Sequence, residues 1–381
     1  MEVAERIGRR LKQLREERGW SQQTLASKAG VSQSTIAGIE TAAQLPGAAL
    51  LGRLSELFRV NMDFFYREKE NPFEILLRAE GVKDEDVATL REIEERCLRY
   101  RQIEKMAREE VTPTPQYQPP AKGAHVVSYA EKVAEQERLR LDVGFDSLTD
   151  LPRVLEGEGI RVLGFKSKSD LDGLFVSSDE DGAFVLVNTL KTRDRGPARQ
   201  LFTLAHEYCH VLLHRGMGAR LDYNIFGAPG KGDPVEMAAG AFAAAFLMPG
   251  FKIKEAWSRN YGSKDSRLIW LKRSFGVSYR ALGWRLLNLG LISKSEREAI
   301  ESEEVDLKAT EQLLYGGDPA PCLSIPALSD RLRLLAMRAY LSGDVTVSKL
   351  AEWLEIDVVT ADEIAKALEY GRGLRNVPAA D

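Results

Sequence analysis

Four prolines fall within eight residues, at Pro113, Pro115, Pro119 and Pro120. Proline fixes φ and removes a backbone donor, so such a run can be neither a helix interior nor a central strand. It favours extended polyproline geometry and separates folding units. The 381-residue chain is therefore expected to fold in at least two parts, with residues 111–124 as the linker between them.

The bulk numbers describe a soluble globular protein, with 44% hydrophobic and 29% charged residues. No run of 18 apolar residues is present, so no membrane span is expected. The first 19 residues are charged throughout and are not a targeting peptide. Cys97, Cys209 and Cys322 are odd in number and far apart, which fits a reducing cytoplasm and excludes a disulfide framework. The net charge of −4 excludes a protein that is basic overall. Residues 1–66 hold nine Lys/Arg against seven Asp/Glu, only mildly positive.

Periodicity divides the chain further. Residues 1–66 are expected to form an all-helical domain. Ile7, Leu11 and Leu14 make a stripe in the first helix, Ser21 caps the second, and Ser32 caps the third. A fourth helix follows Pro46, and a short fifth covers 62–65. Residues 67–110 are a charged helical connector. Its seam of Leu90, Ile93, Cys97 and Tyr100 either packs on its own chain or makes a homodimer. Residues 125–300 are expected to hold two helices, a small mixed sheet (strands at 160–165, 174–176 and 184–188) and then a helix over 197–214. Another helix should cover 236–248, and two short ones 265–292. Residues 301–381 form a helical C-terminal region.

Three of the four histidines, His206, His210 and His214, lie within nine residues, and the first two fall in His206-Glu207-Tyr208-Cys209-His210. On a helix, positions four apart share a face one turn apart. His206 and His210 can therefore share one metal ion, with Glu207 beside them, as in zinc-dependent peptidases. A catalytic site needs a third protein ligand. His214 is eight residues beyond His206, roughly 12 Å along a straight helix, too far to join the same ion. It is expected either to support a ligand or, at the helix end, to interact with the C-terminal dipole. Glu236 is the best-placed third ligand, because it opens a helix rich in alanine that can approach closely; Asp222, Asp233 and His125 compete. With Zn²⁺ bound, a water's pKa falls from ~15.7 towards ~7, and Glu207 would take its proton. Tyr208, Tyr223 and His214 are candidates to stabilise the oxyanion.

The stretch from Arg199 to His214 resembles the ImmA/IrrE family of metallo-endopeptidases. So do Glu236, Ala239, Phe242-Ala243 and Leu247-Met248-Pro249, and the segment Phe275-Gly276-Val277-Ser278. The resemblance covers roughly residues 130–300. It implies zinc at His206, His210 and Glu236, catalysis by Glu207, and helix-turn-helix repressors as substrates in stress or mobile-element responses. Gly240 departs from the family, which usually carries Asn there.

Residues 6–66 resemble the lambda-repressor-like (Cro/C1, XRE) helix-turn-helix family. The resemblance rests on Ile7-Gly8-Arg9-Arg10-Leu11, Trp20-Ser21-Gln22-Gln23-Thr24-Leu25-Ala26, Gly30-Val31-Ser32-Gln33-Ser34-Thr35-Ile36 and Ile39-Glu40. Ser32, Gln33, Ser34 and Thr35 would open a recognition helix in the major groove. Gln33 can pair bidentately with adenine. Gln22, Arg9, Arg10 and Arg15 are expected at phosphates.

The fold class expected is therefore multidomain: an all-α helix-turn-helix domain, an α+β zincin-like metallopeptidase domain and a helical C-terminal region. The function expected is a cytoplasmic, dimeric regulator. It would bind a double-stranded DNA operator and cleave a repressor-type protein, or itself within the linker. The rival is a non-proteolytic transcription factor or antitoxin that uses the peptidase-like fold to bind a ligand or partner.

Overall fold

The computed structural model describes residues 3–58, 60, 62–66, 82–110, 114–118, 125–148, 150–178, 181–190, 196–217, 219–223, 225, 233–259, 262–316, 325 and 328–375. The chain forms two compact units, 1–94 and 95–381.

In the first unit, α1 (Val3–Glu17), α2 (Gln22–Ala29), α3 (Gln33–Glu40) and α4 (Ala48–Phe58) are followed by a 3₁₀ turn at Met62–Phe65. Ser21 and Ser32 cap α2 and α3 by accepting from the amides of Thr24 and Thr35. The α2–α3 turn passes through Gly30 at φ +67°, a left-handed conformation that costs glycine nothing. The stripe of Ile7, Leu11 and Leu14 meets Leu25, Ile36, Leu54 and Phe58 in one buried core. The connector appears as α5 (Val87–Met106), with all four residues of its seam buried. In the second unit, Tyr100 of that seam packs edge-on against Phe184 at 5.7 Å. Residues 67–81 of the connector lie outside the described residues.

The second unit is built around a four-stranded sheet of order β1-β3-β2-β4. The strands are β1 (Arg161–Phe165), β2 (Leu171–Ser178), β3 (Gly182–Asn188) and β4 (Ala219–Tyr223). β3 pairs with β1 in parallel and with β2 antiparallel, and all seven of its residues are buried. β4 forms the antiparallel edge beside β2, with a register irregularity between Leu171 and Gly173.

Two helices, α6 (Val126–Arg140) and α7 (Leu151–Gly157), precede the sheet, and α8 (Pro197–Leu213) packs on β2 and β3. α9 (Pro234–Leu247) packs against both α8 and α6. Its alanines at 238, 239, 243, 244 and 245 are buried in the common core, which lets these backbones approach closely. Arg138 of α6 ties the layers together by donating to the carbonyls of Gly144, Asp146 and Phe246. Residues 114–118 of the proline-rich segment run along this unit: the Tyr117 amide donates to the Leu212 carbonyl at 2.9 Å.

Among the described residues, eight more helices follow: α10 (Gly250–Ser258), α11 (Lys264–Phe275), α12 (Tyr279–Asn288), α13 (Lys294–Ser302), α14 (Glu304–Tyr315), α15 (Asp330–Leu341), α16 (Val347–Leu354) and α17 (Val358–Arg375). The turn expected at 275–278 joins α11 to α12, with Gly276 left-handed and Ser278 as N-cap. Among the described residues, no single helix is long and apolar enough to cross a membrane. The pair α9–α10 passes on composition only as a span bent by 54°.

Candidate functional site

α8 presents His206 and His210 one turn apart, both buried, with ring centroids 4.9 Å apart. Phe175 of β2 stacks on the His210 ring at 5.3 Å. Two carboxylates face the rings. Glu236, in the first turn of α9, puts Oε2 3.2 Å from His206 Nε2 and Oε1 3.6 Å from His210 Nε2. Asp222 of β4 puts Oδ2 3.2 Å from His210 Nε2 and 3.6 Å from His206 Nε2. The four donor atoms lie within 4.8 Å of one another. Among the described residues, His206 Nε2, His210 Nε2 and Asp222 Oδ2 are buried and have no hydrogen-bond partner. Buried polar atoms are normally paired, so this convergence has the chemistry of a divalent-cation site.

The electrostatics agree. Burial alone would lower the His206 pKa, but the carboxylates of Asp222 and then Glu236 outweigh it and raise the imidazole to about 9. Burial works against the Asp222 carboxylate too, yet the two histidines hold it well below the usual range. The pocket attracts positive charge.

Glu207 is fully buried, and neither carboxylate oxygen has a hydrogen-bond partner among the described residues. Burial, reinforced by the charge of Asp222, raises its pKa well above that of an ordinary carboxyl. Its space exists because β2 has a glycine opposite: a Cβ on Gly173 would come within 2.4 Å of Glu207 Oε1 and 2.6 Å of Thr203 Cγ2.

His214 stands at the C-cap of α8, with Nδ1 2.9 Å from Nδ1 of His210. Burial first, then the charge of His210 and Arg220, pushes its pKa down to about 3. A neutral His214 can accept the His210 Nδ1 proton, which leaves Nε2 of His210 free as a ligand.

The other candidates lie elsewhere. Tyr208 points into the core, where its hydroxyl donates to Glu137 of α6. Tyr223 ends β4, paired with Leu171. Asp233 is the N-cap of α9, accepting from the Val235 amide at 2.9 Å. His125 precedes α6, exposed. A Cβ on Gly240 would meet nothing within 4 Å, so that departure does not reflect a packing requirement.

Arg220 is a site residue that the sequence reading did not single out. From β4 its Nε lies 2.7 Å from Glu236 Oε1 and 3.2 Å from Asp222 Oδ1, and its Nη2 lies 2.7 Å from Asp233 Oδ2. It holds three carboxylates in place from the outer side. The alternation Arg220, Asp222 in a strand is the only local signal for it, since both project to the same face.

In the first unit, Gln33 and Ser34 open α3 and are exposed, as is Arg9 on α1. The Ser32 hydroxyl is engaged with Ser34, Thr35 and the Thr35 amide. The other expected phosphate contacts are used internally. Arg15 is bound to Glu40 through Nε at 2.7 Å and Nη2 at 3.0 Å, and its side chain is only 12% exposed. Gln22 donates to the same carboxylate at 2.9 Å. Arg10 is buried over the Phe64 ring at 5.0 Å.

Comparison with known families agrees with both halves. Residues 156–287 match the family model of the IrrE N-terminal-like domain, and residues 11–65 match that of the helix-turn-helix. The chain thus joins an XRE-type DNA-binding domain to an IrrE/ImmA-like, metallopeptidase-fold module. No curated protein matches the chain. Among solved structures, the apo form of ComR from S. thermophilus aligns at 12% identity over 98% of this chain and 100% of that one. Its TM-score is 0.16, too low to bear on this architecture.

Proposed function

We propose that this protein is a transcriptional regulator whose second unit is a zinc-dependent endopeptidase. The observation that carries the reading is the convergence of His206, His210 and Glu236 beside an unpartnered, buried Glu207. Two imidazoles and carboxylate oxygen suit zinc among the common divalent ions. When bound, zinc would polarise a scissile carbonyl and acidify a water. His206, His210 and Glu236 hold the ion, and His214 orients His210. Glu207, kept basic in reach but unpaired, takes a proton from water and returns it to the leaving amine. Arg220 positions Glu236.

The organisation proposed is a DNA-binding domain at 1–66, a connector at 67–110, a linker at 111–124, the peptidase at 125–300 and a helical region at 301–381. Gln33 and Ser34 read bases, and Arg9 contacts phosphate. The protein works in the cytoplasm, as a homodimer on a double-stranded operator. Its substrate is a helix-turn-helix repressor whose loss derepresses stress or mobile-element genes. The Tyr117–Leu212 bond holds part of the linker against the peptidase unit, which favours a separate repressor over self-cleavage.

The test compares new protein N-termini in cells expressing wild type or Glu207→Gln. Cleavage of a repressor, or of residues 111–124, is expected only with wild type. Identical sets of termini would refute proteolysis and leave the chain as a regulator that uses this fold for binding.

A further inference from the structure

We infer that Asp222 is a fourth protein ligand, so that the resting metal site is closed. The inference rests on reading the site as a zinc site and adds how that site is regulated. A tetrahedral ion with bonds of about 2.0–2.1 Å places neighbouring donor atoms about 3.3 Å apart. The four His–carboxylate distances are 3.2, 3.2, 3.6 and 3.6 Å, and Asp222 accounts for two of them on equal terms with Glu236.

Asp222 is the more deeply committed of the two carboxylates. Its side chain is 3% exposed, against 21% for Glu236. Arg220 engages Asp222 through Oδ1, while Oδ2 is buried, without a hydrogen-bond partner among the described residues, and aimed at both histidines. For Glu236 the oxygen that Arg220 approaches, Oε1, is also the one nearest His210. Two carboxylates and two neutral imidazoles balance a dication, as a closed site requires. Structural zinc sites have four protein ligands, whereas hydrolytic ones keep a position for water.

The fold offers a way to open this site. Asp222 sits on β4, which among the described residues is an edge strand hydrogen-bonded to β2 alone, at the register irregularity where it pairs with Gly173. Such irregularities beside sites re-aim side chains. Withdrawing Asp222 leaves the His206–His210–Glu236 set intact and frees one position. Asp222 is thus a gate whose removal separates a metal-loaded, silent state from a hydrolytic one.

Cobalt(II) in place of zinc reports the fourth position directly. In the full-length wild-type protein, the visible cobalt spectrum should not respond to azide. In Asp222→Ala and Asp222→Asn it should respond, with one metal still bound. Zinc affinity, measured by chelator competition, should fall in the variants by more than the roughly 10–100-fold that loss of an outer-shell partner costs. A wild-type spectrum that already shifts with azide would overturn the inference without any variant having to fold, and would leave the zinc site standing. Equal zinc affinity in wild type and both variants would overturn it too. Failure of wild type to bind either metal would overturn both this inference and the peptidase reading.

Discussion

Gly173 Cα faces the carboxylate of Glu207 so closely that a Cβ would sit 2.4 Å from Oε1. One strand residue without a side chain therefore makes room for the only acid on the metal-binding helix. Gly173 also pairs in register with Asp222. The same backbone position thus seats the general base proposed for the reaction and aligns the carboxylate opposite it.

Gly173→Ala should therefore displace Glu207 or strain β2 without touching a metal ligand. Overpacking a filled core costs typically 1–3 kcal/mol. The expected result is a lower thermal midpoint, one equivalent of metal retained and cleavage lost. A variant as active and as stable as wild type would show that Glu207 moves freely.

Glu104 is fully buried, with Arg161 bonded to both its oxygens at 2.9 and 2.8 Å and Arg331 of α15 at 2.6 Å. Breaking a buried ion network from one side costs about 3–5 kcal/mol, so Glu104→Ala should detach the C-terminal helices from β1 or unfold the unit. Burial raises the carboxyl's pKa, but Arg161, then Arg331 and Arg101, outweigh it and hold it below the ordinary 4.5. Its contribution is then complete above pH 4.5 and lost as pH falls through the folded value. The gap in urea midpoint between wild type and Glu104→Gln should close in acid.

Glu156 shows the opposite sign. Burial lifts its carboxyl to about 7, against the smaller pull of Ser329 and Arg331. The unfolded chain releases this proton near pH 4.5 and the folded one near 7, so stability falls across that window and stays reduced above it. Glu156→Gln should stabilise the unit by about 3 kcal/mol at pH 8 and by nothing at pH 4. Four of the five tryptophans, at 257, 270, 284 and 353, report this unit's unfolding by fluorescence. A gain that is equal at both pH values would refute the assignment.

In the DNA-binding domain, exposure separates three roles. Gln33→Ala should cost about 1–3 kcal/mol at the preferred operator and relax specificity there. Arg9→Ala should weaken binding to all sequences and reduce the salt slope by about one. Arg15→Ala should instead lower the domain's melting temperature, because Arg15 is spent on Glu40. An Arg15 variant with unchanged stability and a reduced salt slope would reverse that division.

What could be foreseen follows from how local each signal is. The motif helix carries its ligands one turn apart between Leu204 and Val211, so one window of sequence contains both the helix and the chemistry. The caps Ser21 and Ser32 are equally local. β4 is different: Ala219-Arg220-Leu221-Asp222-Tyr223 is short, half polar and lies at an edge, with no alternating core face to mark it. Sequence therefore offers Asp222 only as one candidate among several and gives no mark of Arg220's role. Arg10 and Arg15 looked like phosphate contacts because cations on a first helix usually face solvent. Their partners, Phe64 and Glu40, come from 54 and 25 residues away and become neighbours only in the folded domain.

The most direct measurement is elemental analysis of purified wild type, His210→Ala and Glu236→Ala. One equivalent of zinc in wild type, lost in His210→Ala and held more weakly in Glu236→Ala, is the predicted result. A wild-type protein that holds no metal even after reconstitution with zinc would contradict the metal centre and the peptidase with it.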